Sequence, residues 1–190
     1  MTKFRAMSAL AATLFLAACY PPTTSHPVGA VGKPDPGLTG TWRGTNEDGK
    51  PSYFHFLTAS DGTITVVIAE SGPKAEDWNV AAVTASRLGA NRFFNARLVS
   101  SNGKPENGAP AGTVPILAKT DAKGQMSLFM MDEAAVKAAI AGGKIKGTVE
   151  KGAMGDAAIT ADAATLDKFL STPAGLALFV KPFFVLKKVE

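Results

Sequence analysis

Two histidines, His26 and His55, and one cysteine, Cys19, are the strongest candidates for acid–base or nucleophilic chemistry in this 190-residue sequence. A single cysteine forms no internal disulfide, and with two histidines it does not complete a Cys/His zinc cluster. His26 lies in a proline-rich stretch, so a Ser-His-Asp triad would have to recruit His55 from the run Tyr53-Phe54-His55-Phe56-Leu57. No Gly-X-Ser-X-Gly turn is present to project a serine nucleophile. Tyr53 and His55 are therefore read as ligand-contacting or rim residues of a binding cavity, and hydrolysis through His55 is the weakest of the functional readings.

The carboxylates point to structural work. Asp48 and Asp61 precede glycines, Asp121 opens a turn, and Asp132 and Asp162 stand at helix starts. Each of these positions uses the side chain to accept backbone N–H groups. Glu47-Asp48 and Glu76-Asp77 are adjacent pairs, which on a strand face opposite ways and share no proton. The Gly/Lys run at 142–147 follows a helix pattern and lacks the Gly-Lys-Ser/Thr ending of a phosphate loop, so it reads as a helix stop. These residues imply no cofactor and no metal. Net charge is +4, and without Lys3 and Arg5 it falls to +2, with 18 basic against 16 acidic side chains. That balance, scattered along the chain, argues against nucleic acid as a partner.

Cys19 has a specific context. Lys3 and Arg5 precede an apolar run from Ala6 to Ala18 that is interrupted only by Ser8 and Thr13. Such a run is short for a membrane span and matches the apolar region of a signal peptide. Its ending, Leu16-Ala17-Ala18-Cys19, resembles the lipobox of bacterial lipoproteins. The resemblance implies cleavage between Ala18 and Cys19, removal of residues 1–18, and acylation of Cys19 as the new N-terminus. Three acyl chains would anchor the protein stably, since a single chain is marginal. Tyr20, in place of an aspartate after the cysteine, implies the outer membrane and its periplasmic face if the source is Gram-negative.

Downstream, residues 19–37 are expected to form the lipidated cysteine and a tether. Positions 20–36 hold five prolines and two glycines with few large apolar side chains. A polyproline-like spacer of this kind would reach up to about 50 Å. Residues 38–190 are expected to fold as one monomeric domain. Strand patterns at 52–59 and 63–69 flank Ser60-Asp61-Gly62, those at 78–88 and 91–99 flank Gly89-Ala90, and those at 113–119 and 125–131 flank residues 121–124. Three hairpins in succession, after a first strand at 39–44, predict an antiparallel meander. Two short helices follow, starting near Asp132 and Asp162, with weaker strands at 144–150 and 157–160 and a closing strand at 181–189. Residues 100–112 read as a long polar loop.

The fold class is therefore mainly β, an up-and-down barrel-like meander of about eight to ten strands with two short helices in its C-terminal third. Gly40-Thr41-Trp42 resembles the Gly-X-Trp that opens lipocalin-like (calycin) barrels. That resemblance implies a Trp42 plug at the barrel base beneath a basic residue from late in the chain, Lys187 or Lys188, where the family usually has Arg. Together with Leu88-Gly89-Ala90-Asn91-Arg92-Phe93 and the lipobox, the organisation is similar to that of uncharacterised bacterial lipoproteins. The expected role is non-catalytic: a tethered domain that binds envelope proteins as an adaptor. The alternative is a lipocalin-like carrier whose apolar side chains, among them Phe54, Phe56, Phe93, Phe94, Phe129, Met126, Met130, Met131, Phe183 and Phe184, line a cavity for a small apolar ligand instead of filling a core.

Overall fold

A computed structural model describes residues 21–33, 35–45, 49–70, 78–107, 112–149 and 157–189. The leader with Ala18 and Cys19 and the pairs Glu47-Asp48 and Glu76-Asp77 lie outside these residues. Two short strands, β1 (Thr23–Thr24) and β2 (Ala30–Val31), precede β3 (Gly40–Thr45), β4 (Pro51–Thr58), β5 (Ile64–Glu70), β6 (Trp78–Leu88) and β7 (Asn91–Ser101). The chain turns back in β8 (Lys104–Pro105), continues through β9 (Val114–Thr120) and β10 (Met126–Met130), and leaves the sheet for α1 (Glu133–Ala141). β11 (Gly147–Val149), β12 (Ala157–Ile159), α2 (Ala163–Leu170) and α3 (Pro173–Leu176) follow before β13 (Pro182–Lys188).

Eight of these strands close on themselves in the order β3-β4-β5-β6-β7-β9-β10-β13, every neighbouring pair antiparallel. The result is a mainly β, closed up-and-down barrel. Local chemistry explains the turns. Between β4 and β5, Gly62 takes φ 88°, and Asp61 Oδ1 accepts the Thr63 N–H at 2.9 Å. Asp121 does the same for Lys123 and Gln125. Asp132 and Asp162 cap α1 and α2, accepting from Ala135 and Thr165 at 2.8 and 2.9 Å. The half-buried Glu133–Lys137 pair adds a one-turn ion pair on α1.

Alternation sends one face of each strand into the bore. On β4, Ser52, Phe54 and Phe56 are buried while Tyr53, His55 and Leu57 are exposed. On β7, neighbouring aromatics go opposite ways: Phe94 joins the barrel interior, and Phe93 packs outside with Leu117, Val136, Leu166, Leu170 and Phe179. α1, α2, α3 and the small sheet of β1, β12 and β11 cover that outer face.

Two expectations need correction. The proline-rich segment is not a free spacer from position 21 onward. β1 pairs with β12, β2 pairs with β6, and Val28 is fully buried. The reason is a side-chain clamp on its backbone: Asn95 Oδ1 accepts the Val28 N–H at 2.7 Å, and Asn95 Nδ2 donates to the Val28 carbonyl at 3.1 Å. Ser86 Oγ also donates to that carbonyl, and Gly29 N–H donates to Asp167 Oδ1 at 2.8 Å. Composition reads such a stretch as spacer because the partners come from elsewhere in the chain. Second, the polar segment at 100–112 is not all loop, since β7 runs to Ser101 and β8 pairs back on it. Pro173 lies just past the end of α2 and stands at the first turn of α3, where its missing N–H is harmless and Thr172 caps the turn.

Candidate functional site

The barrel bore is sealed at one end. Trp42 is 6% exposed and its Nε1 donates to the Leu38 carbonyl at 2.8 Å. The turn that carries Leu38 is tied across the base by Asp35, whose Oδ2 lies 2.7 Å from Arg92 Nη2. Lys188 stands beside Trp42 in the β3–β13 register, with Nζ 5.8 Å from the indole centroid and donating to the Gly37 carbonyl at 2.9 Å. Gly40 has φ 121°, and a Cβ there would sit 3.4 Å from Lys188 Cε. A side chain at 40 would be strained and would crowd the lysine stem. Lys187, one residue earlier, is paired with Arg43 across the strands and does not reach the indole face in this way.

Above this plug the bore is hollow. A cavity of about 260 Å³ is walled by Phe54, Phe56, Phe94, Leu128, Met130 and Phe183, with an almost wholly apolar surface. Ala81 and Ala96 also face it, and their short side chains leave the room that larger ones would fill. At its other end, which the described residues leave open, the cavity is bordered by Pro21, Thr23 and Gly112. The chain at this end is held by paired main-chain bonds: Thr24 N–H donates to Thr113 O at 2.8 Å, and Thr113 N–H donates to Thr24 O at 3.0 Å.

No family model, curated protein or solved structure matches the chain. The geometry therefore stands on its own. Of the apolar side chains singled out in the sequence, Phe54, Phe56, Phe94, Met130 and Phe183 line the cavity. Phe93, Phe129 and Met131 belong to the outer layer, and Met126 and Phe184 pack inside the barrel.

Tyr53 and His55 are not at the cavity. Both are on the outward positions of β4, and His55 Nδ1 lies 2.9 Å from Thr41 Oγ1 on the exposed wall. Phe54 and Phe56 hold the inward positions, so the pleat itself excludes their neighbours. Among the described residues, no group of three or more His, Cys, Asp or Glu could hold a metal ion. Asp61 and Asp162 have carboxyls held below the usual range, chiefly by the backbone N–H groups of Thr63 and Thr165. Neither lines the cavity. Pro21, Thr23 and Gly112 carried no signal in the sequence, because their place at the rim depends on where the N-terminal strap docks.

Proposed function

We propose that the protein is a lipid-anchored envelope lipoprotein whose lipocalin-like barrel carries a small apolar ligand. One observation supports the carrier over the adaptor: the bore above Trp42 is an apolar cavity, open at one end. An engineered 150 Å³ apolar cavity holds a benzene molecule, so this one suits a ligand of roughly ten carbon atoms. Among the described residues, Arg97 near the rim is the one charged group in its wall, so recognition rests on shape and apolar burial. The adaptor reading would draw on exposed apolar surface. The large apolar side chains exposed among the described residues are spread over β2, β4, β7, β11 and the ends of β13. The anchor rests on the lipobox ending at Cys19 and on the apolar run before it.

Native mass spectrometry of the full chain, purified in detergent, tests the carrier. A stoichiometric apolar adduct is expected, or, after solvent extraction, binding of 1-aminoanthracene with a rise in its fluorescence. Ala96→Phe and Ala81→Leu fill the bore and are expected to abolish both. A folded wild-type chain that takes no probe, or filled variants that bind it unchanged, would sink the reading.

A further inference from the structure

Pro21 and Thr23 border the open end of the cavity, and Cys19 is two residues before Pro21. At ~3.6 Å per residue at most, a link of that length would hold the anchor within about 7 Å of Pro21. The chain cannot swing away from that position along the described residues. β1 is held in register with β12, Thr23 opposite Ala158 and Thr24 opposite Ile159, and is bonded on its other side to Thr113. Further on, Asn95 and Ser86 grip both main-chain groups of Val28, and Asp167 takes the N–H of Gly29. The turns at Asp61-Gly62, Gly89-Ala90 and 121–124 lie at the sealed end, beside the strand ends that surround Trp42 and Met126. An eight-residue strand spans ~26 Å, so with a barrel tilt near 40° those turns are about 20 Å farther from the anchor than the rim is.

We infer that the open end of the barrel is held against the bilayer that anchors Cys19, so the ligand passes between the acyl layer and the cavity without entering bulk water. The inference rests on the proposed lipidation, and it narrows the ligand to molecules that partition into a membrane. The partner of the rim is the lipid surface itself. A 17-residue spacer would have let the domain tumble in any orientation, whereas a two-residue link to a docked strap fixes which end is down.

Depth-dependent quenching tests it on the full lipoprotein. Acylation occupies the single native cysteine, so an introduced one is the free thiol for a fluorophore. Lys104→Cys places it at the open end and Ala122→Cys at the sealed end, both at exposed positions. The protein is reconstituted in phosphatidylethanolamine–phosphatidylglycerol vesicles doped with headgroup-nitroxide lipid. Quenching at 104 is expected to exceed that at 122 several-fold. Equal quenching at both sites, or stronger quenching at 122, would overturn the orientation. Intact mass separates the two failures: an acylated protein with an unquenched label at 104 removes the orientation alone, and an unmodified Cys19 removes the anchor with it.

Discussion

At the base of the barrel Trp42, Met126 and Leu186 fill the bore, and the polar groups around them are paired: indole with Leu38 carbonyl, Lys188 with Gly37 carbonyl, Arg92 with Asp35. Toward the mouth, β5, β6 and β7 supply Val66, Ala81 and Ala96 to an open cavity. There too the buried Ser52 Oγ, one inward position beyond Phe54, has no hydrogen-bond partner among the described residues. A void and an orphan hydroxyl both cost stability. One end of the barrel is built for stability, and the other leaves stability unused where a ligand would sit.

Removing the plug gives the largest effect. Trp42→Ala is expected to cost about 3–5 kcal/mol in urea denaturation, through lost burial and the cavity left at the base. A change within about ±0.5 kcal/mol would mean that the two ends do not differ in this way. Asn95→Ala should come next, at roughly 2–3 kcal/mol, because it strands the buried N–H of Val28 and removes one of two donors to its carbonyl. Amide exchange should quicken at Val28 and Gly29 first, while the barrel strands stay protected.

Ser52→Ala sharpens the contrast from the other end. It removes the orphan hydroxyl and is expected to raise stability by about 1 kcal/mol; a loss of that size would show that the hydroxyl is bonded in solution. The smallest effect is one of pH. Asp61, in a turn at the sealed end, has a folded-state pKa depressed first by the Thr63 backbone N–H and then by the Thr63 side chain. Its contribution is therefore present above the unfolded carboxylate pKa and is lost as pH falls through the folded value. The variant Asp61→Asn should unfold with a shallower acid dependence than the wild type, and equal slopes would argue against any such contribution.

How much of this was legible in the sequence varies with the range of the interaction. The three hairpins could be read because each turn carries its own signal, such as Asp61-Gly62, within a few residues. The aspartates at 132 and 162 announced their helices for the same reason. Phe93-Phe94 carried a subtler message. Two adjacent aromatics on one strand mean apolar neighbours on both faces, here the bore and the helical layer. The strap was illegible. Val28 stands among prolines and glycines with nothing to set it apart from Val31, and Asn95 and Ser86 look like ordinary solvent-facing polar residues until the strap is laid over them. The cavity was half legible: alternation identified inward side chains such as Phe54 and Phe56, but no pattern in one chain measures the space left between them.

The position of β13 has a consequence for how the chain can assemble. This last strand lies between β3 and β10, setting Lys188 opposite Trp42 and Val185 opposite Thr45. A chain growing from its N-terminus has therefore made seven of the eight barrel strands, and all three helices, before the sheet can close. Until then β3 and β10 are bare edges with unpaired N–H and C=O groups, the kind of surface on which neighbouring chains add strands. The pairing that ends this exposure joins residues far apart in the chain, Lys188 with Trp42 among them, and such non-local contacts form slowly, on the order of milliseconds to seconds. This one strand thus decides whether the seven before it are a barrel or an open sheet.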